Sequence, residues 1–277
     1  MYAEKNIKRI IGKIEIKGSA VIKGIQYDGY RVIGEPIDII GKFIESEVDE
    51  IIIEDTIASY YGMRSDLSFV KDFAGIVPPL TIGGGISNIK DAEYMFEIGA
   101  DKVCINTALY ANPSLISDLI SVFGSQAIVA SIQYTTSTSE VRGLRAGYGR
   151  DVIKTINFDK WLKQLIELKP GEIILSNISR DGTLKGVDVE TLNNLPEIRE
   201  TRLLYNGGVR FKDIEDLNEV QSKIDGYVVA KAFHKKFNEE SFKASSFSLN
   251  KESSKMKTDI ISNKELKKKV AILDLGI

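Results

Sequence analysis

Apolar residues recur along the chain in short unbroken runs, and between the runs they recur at helical spacing. The runs fall at 9–16 (Ile10, Ile11, Ile14, Ile16), 50–54 (Ile51, Ile52, Ile53), 80–82, 102–105, 127–132, 172–176, 202–205 and 226–229. Each is strand-length, and a run without alternation suits a strand covered on both faces. The intervening patterns predict helices over 36–45, 64–74, 89–98, 113–123, 157–168, 189–195 and 211–220, with a last one ending near 242. In 157–168, for example, Phe158, Trp161, Leu162 and Leu165 share one face. Strands alternating with helices imply parallel pairing, and eight such units close most simply into a (β/α)8 TIM barrel. A doubly wound sheet is the alternative. Two segments interrupt the rhythm. Residues 17–35 are polar and carry Gly18, Gly24, Gly29 and Gly34, which reads as a long mobile loop; residues 135–154 read as an inserted hairpin.

The third run ends in Gly83-Gly84-Gly85, and the fourth ends in Asn106-Thr107. Glycines let a ligand approach the backbone, and free N–H groups between a strand and a helix attract an anion such as phosphate. The motif returns: Thr81 to Ile86 followed by Gly99 to Val103 matches Leu204 to Val209 followed by Asp225 to Val229. Glu50 to Asp55 likewise echoes Glu172 to Ser176. A barrel of two similar halves would carry two phosphate sites on opposite sides of one face. A ligand with a phosphate at each end would span them.

Composition narrows the function. The 277 residues include 37 basic and 39 acidic ones, for a net charge of −2, which argues against a nucleic-acid-binding body. Cys104 is the single cysteine and His234 the single histidine, so neither a disulfide nor a multi-histidine metal site is expected, and a reducing cytoplasm fits. No apolar run reaches the ~20 residues of a membrane helix, and residues 1–9 do not read as a signal peptide.

Several motifs together resemble the cyclase subunit of imidazole glycerol phosphate synthase over about residues 8–243: Arg9-Ile10-Ile11, Val21-Ile22-Lys23-Gly24, Gly34-Glu35-Pro36, Thr81 to Ile86, Gly99 to Thr107, Phe123-Gly124-Ser125-Gln126, and Arg180-Asp181-Gly182-Thr183 followed by Gly186. The resemblance implies a lyase-type barrel enzyme without metal or cofactor, partnered by a glutaminase whose ammonia passes through the barrel. At the top face ammonia would attack a bis-phosphorylated ribulosyl-formimino-carboxamide nucleotide. The products would be imidazole glycerol phosphate, for histidine synthesis, and an aminoimidazole carboxamide nucleotide. One phosphate site would use Gly85, Asn106 and Thr107, and the other Asp181, Gly182, Gly207, Gly208, Ala230 and Lys231, with Lys23 reaching the substrate from the first loop. Lys231 stands where the family usually has a small hydroxyl residue. Arg9, Glu50, Lys102 and Glu172 match a charged ring at the bottom of the barrel, where ammonia enters.

The resemblance places the acid–base pair at Glu15 and Gln133, where the family has two aspartates. Glu15 keeps a carboxylate; an amide at 133 neither gives nor takes a proton at neutral pH. Tyr134 stands where a lysine is usual. Three readings follow: a cyclase relying on Glu15, a paralogue delivering ammonia to another acceptor such as a surface-polysaccharide sugar, or a degenerate barrel. A non-catalytic scaffold that activates a glutaminase is a further alternative. Residues 1–243 therefore form the expected synthase domain and 244–269 a linker-like polar tail. Residues 270–277, Val270 to Ile277, resemble the truncated first strand of a glutaminase; an ordinary tail is the other reading.

Overall fold

The computed structural model describes residues 8–73, 75, 77–136, 142–216 and 223–236. Strand β1 (Arg9–Lys17) continues into an antiparallel hairpin, β2 (Ala20–Ile25) and β3 (Asp28–Gly34). Then come α1 (Pro36–Glu45), β4 (Glu50–Asp55), a 3-10 turn at Ser68–Phe73, β5 (Leu80–Gly83), α2 (Ile89–Glu97), β6 (Lys102–Ile105), α3 (Thr107–Ala111) and α4 (Leu115–Phe123). The second half repeats the plan. Strand β7 (Ile128–Thr136) carries its own antiparallel hairpin, β8 (Arg142–Ala146) and β9 (Asp151–Ile153). It is followed by α5 (Phe158–Glu167), β10 (Glu172–Asn177), α6 (Val189–Asn193), β11 (Arg202–Asn206), α7 (Phe211–Asp216), β12 (Gly226–Val229) and α8 (Lys231–Lys236).

The parallel strands run β10-β11-β12-β1-β4-β5-β6-β7, and β7 pairs back onto β10 through Ile132↔Leu175 and Ser176↔Gln133. That pairing closes the barrel and excludes the doubly wound sheet. Local chemistry agrees with the element starts. Pro36 opens α1, and the side chains of Asn88 and Asn157 accept the N–H groups of Asp91 and Lys160 to cap α2 and α5.

Strand parity sorts the core into two parts. Ile11, Ile52, Cys104, Val129, Ile174, Leu204 and Val228 meet inside the barrel. The alternate set, including Ile10, Ile14, Ile51, Ile53, Val103 and Ile173, faces the helices in a larger cluster.

Two sequence expectations change. Residues 17–35 are a hairpin rather than a loop: Val21 and Ile22 are buried, and the turn at Gln26 and Tyr27 holds φ of 55° and 61°. Such a turn is usually announced by Asn-Gly, which is absent here. Over 64–74 the described residues form only the 3-10 turn at Ser68–Phe73. The expected hairpin in 135–154 is present as β7 to β9, joined through 137–141, which are not described. The ends of the last two expected helices, 217–220 and 237–242, and the whole of 244–277 also lie outside the described residues.

Candidate active site

The odd-numbered residues of β1 up to Glu15, namely Arg9, Ile11, Lys13 and Glu15, point inward, and Lys17 at the strand end is exposed. The interior is thus built in layers: a charged floor, the apolar layer just described, and a charged upper level.

The floor joins the four residues singled out at strand starts. Arg9 is ion-paired to Glu50 and, at 2.7 Å, to Glu172, while Lys102 reaches Glu50 at 2.9 Å and Glu172 at 3.0 Å. Two cations and two carboxylates alternate around a closed square. Burial opposes the charge on Arg9, but the two carboxylates outweigh it and its pKa is raised. Solvated strand ends would not converge from four strands.

The upper level is a chain of alternating charges. Glu54 Oε2 lies 2.6 Å from Lys13 Nζ, which lies 3.3 Å from Glu15 Oε1; Glu15 Oε2 is 2.6 Å from Lys23 Nζ, which is 3.0 Å from Asp181 Oδ1. All but Glu54 are deeply buried, and its side chain is 16 % exposed. Burial would raise the Glu15 pKa, yet Lys23 and Lys13 on either side bring it down to about 2. Burial pushes Asp181 up instead, and Lys23 offsets this only in part. The two carboxylates diverge because Lys23 is nearer to Glu15 and only Glu15 is in ion-pair range of both lysines. Burial works against the charge on Lys13, but Glu54 and Glu15 hold it well above the usual lysine range. Sequence reasoning missed Lys13 and Glu54. Strand alternation shows that Lys13 shares a face with Glu15, two residues on, but not which face it is or that Glu54 of β4 meets them there.

His234 on α8 packs beside Phe43, their ring centroids 6.1 Å apart. Burial first, and then Lys23, lowers its pKa to about 4 from 6.5. A depressed histidine pKa means the unfolded chain takes the proton first. Its stability contribution is therefore complete above pH 6.5 and lost as pH falls towards 4, roughly 3 kcal/mol in all. We expect denaturant titrations to show that limb in the wild type and to lose it in His234→Phe.

Two glycine cradles face the mouth of the barrel. The first cleft, of about 410 Å³, is lined by Glu54, Ser59, Gly84, Gly85, Asn106, Thr107, Gln133 and Tyr148, among others. The second, about 230 Å³, is lined by Asp181, Gly182, Asn206, Gly207, Gly208, Ala230 and Lys231, among others. Gly84 and Gly85 have φ of 110° and 69°, and Gly207 and Gly208 have 128° and 70°. The repeat seen in the sequence is therefore a repeat of backbone conformation. In the first cleft Gly85 N–H donates to Ser59 Oγ at 3.0 Å, Thr107 Oγ1 accepts from Gly147 N at 3.0 Å, and Asn106 Nδ2 donates to the Ser131 carbonyl at 2.7 Å. An anion here would take the place of Ser59 Oγ on Gly85.

The two hairpins meet above the charges. Tyr27, in the β2–β3 turn, stacks on Tyr148, in the β8–β9 turn, with ring centroids 4.1 Å apart and planes 8° from parallel. Lys13 Nζ lies 5.3 Å below one ring and 5.8 Å from the other, within cation–π range. Gln133 is pinned, its Oε1 accepting from Gly149 N at 3.0 Å while Nε2 faces Glu54 Oε1 at 3.5 Å. Among the described residues no cluster of metal-ligating side chains occurs, and no helix is long and apolar enough to cross a membrane.

A closed parallel barrel with paired glycine cradles at the carboxyl ends of its strands defines a TIM-barrel protein of two-fold pseudo-symmetry, with its candidate chemistry on the top face. The chain belongs to the histidine biosynthesis protein family, whose model matches residues 9–238. It is 36% identical over 202 residues to the imidazole glycerol phosphate synthase subunit HisF of Legionella pneumophila, covering 73% of this chain and 95% of that one. HisF subunits of Bacillus cereus (strain ATCC 10987) and Exiguobacterium sibiricum are 33% and 32% identical over 235 and 234 residues, each covering 82% of this chain and 90% and 91% of theirs.

Proposed function

We propose that this barrel is the ammonia-using cyclase subunit of an imidazole glycerol phosphate synthase-like enzyme. It would take ammonia from a glutaminase partner and a ribulosyl-formimino-carboxamide nucleotide, and release imidazole glycerol phosphate and an aminoimidazole carboxamide nucleotide. The observation that carries this reading is the pair of equivalent cradles at Gly84-Gly85 and Gly207-Gly208, each lining its own cleft. A substrate with a phosphate at each end matches two such sites, and the names of the relatives support the reaction. Gly85, Asn106 and Thr107 would hold one phosphate; Asp181, Gly182, Gly207, Gly208, Ala230 and Lys231 would hold the other. Lys23, fixed between Glu15 and Asp181, would face the substrate between them. The square of Arg9, Glu50, Lys102 and Glu172 would gate ammonia at the floor, against which the glutaminase would dock.

Gln133 favours a second reading, a changed nitrogen acceptor, because its amide cannot transfer protons. Ammonium salt and the ribulosyl nucleotide, supplied to the barrel without a partner, separate the two. The cyclase reading expects release of the carboxamide nucleotide, followed by its absorbance. Absence of product with a bis-phosphate analogue still bound in calorimetry points to another acceptor; no binding at millimolar concentration overturns the cyclase reading.

A further inference from the structure

We infer that Glu54 is the substrate-facing carboxylate that moves protons in the first cleft. The inference rests on the cyclase reading and names a residue that reading does not include. Proton transfer needs a group within reach of the reacting atoms that can take and return a proton. Gln133 has no such proton to exchange. Glu15 lies between two ammonium groups, has the stacked Tyr27 and Tyr148 rings above its level, and lines neither cleft. It is an electrostatic anchor. Asp55 lines the cleft, but its Oδ1 is engaged by the N–H groups of Ile57 and Ala58 at 2.9 and 3.0 Å. Asp181 lies in the other cleft with both oxygens turned to Lys23.

Glu54 differs from all of these. Lys13 holds Oε2 at 2.6 Å, which fixes the side chain, and Oε1 faces Gln133 at the edge of the cleft that also contains Gly85 and Thr107. Backbone register places Glu54 beside Glu15 on the neighbouring strand, so the carboxylate sits at the top of the barrel interior. Glu54, Glu15 and Asp181 share two ammonium groups, Lys13 and Lys23, so the connected cluster has one carboxylate in excess.

The step balances within the site. When the ammonia lone pair forms a bond to the substrate's carbonyl carbon, the π pair moves to the oxygen, leaving N–H in excess and an alkoxide. Glu54 Oε1 accepts the proton from nitrogen and returns it to the alkoxide oxygen, giving a neutral carbinolamine that goes on to lose water. No other reactant is consumed.

The test measures ammonia-dependent turnover at constant free ammonia from pH 5 to 9 for the wild type, Glu54→Gln, Glu54→Asp and Glu54→Gln/Gln133→Asp. Glu54→Gln is expected to lower kcat by on the order of 10²–10⁴-fold, with KM little changed. Glu54→Asp should keep part of the activity. A carboxylate supplied from position 133, whose side chain meets that of residue 54, should restore turnover. Lys13→Met/Glu54→Gln, which removes the buried pair together, serves if the single variant does not fold. Its inactivity with unchanged analogue binding supports the assignment. Turnover within about threefold of wild type in either folded variant overturns the role of Glu54 alone, whereas an inert wild type overturns the cyclase reading and this inference with it.

Discussion

Replacing Lys23 with methionine is expected to remove about 3–5 kcal/mol of unfolding free energy at pH 7, the usual consequence of breaking a buried ion pair from one side. Lys23 is buried and holds Glu15 at 2.6 Å and Asp181 at 3.0 Å, so the variant keeps both carboxylates inside the barrel with only Lys13 near one of them. The loss has a pH signature. In the wild type Glu15 is depressed to about 2 from 4.5, so it contributes stability that is complete above pH 4.5 and disappears as pH falls towards 2. Without Lys23 the carboxylates titrate higher, and the variant gains relative stability from protonation. The difference between the two proteins should therefore be largest at neutral pH and above, shrink on acidification as the variant's carboxylates take up protons, and close as pH approaches 2, as measured by urea titration from neutral pH downward. A pH-independent difference would show that packing, and not charge, is what Lys23 supplies.

Gly85→Ala is expected to cost about 2–5 kcal/mol, the sum of left-handed backbone strain and overpacking, and to weaken anion binding in the first cleft more than tenfold. Gly85 has φ of 69°, and a Cβ there would stand 2.2 Å from the Met63 carbonyl oxygen and 3.0 Å from Ala58 Cβ. The segment that gives way carries Ser59, the present acceptor of Gly85 N–H. Gly18→Ala isolates the two causes. Its φ is 61°, yet nothing lies within 4 Å of the added Cβ, so only the strain remains. Unfolding titrations of both variants, with calorimetry of a bis-phosphate analogue, check the pair. Equal losses would mean that the collision at Met63 is relieved without cost.

Much of the barrel was legible because buried parallel strands carry their apolar residues in unbroken runs. The closing pair, β7 on β10, joins two such runs, 127–132 and 172–176 in the sequence reading. The cradles were legible for a different reason. Gly84-Gly85 and Gly207-Gly208 need backbone conformations few other residues tolerate, so the repeat is visible in the sequence. The hairpin over 20–34 was not legible, since its turn residues Gln26 and Tyr27 carry no turn chemistry of their own. Tertiary contacts hold them: Gln26 N donates to the Asp181 carbonyl at 2.9 Å, and Tyr27 stacks on a residue 121 positions away in sequence, Tyr148. The upper charges stayed hidden for a related reason. Lys13 and Glu54 border apolar runs, and only barrel closure brings the inward sides of β1 and β4 to one point. The floor square needed no new principle, but its four members come from four strands, and pattern alone does not show that they touch.

The stacked tyrosines have a consequence for how the mouth of the barrel is held. Tyr27 and Tyr148 come from the hairpin turns that follow β1 and β7, and with Ile178 they form a small buried cluster of their own. One stacked contact therefore ties the two halves together across the mouth, and each turn is the cover of the other. A change at either ring would loosen both hairpins at once.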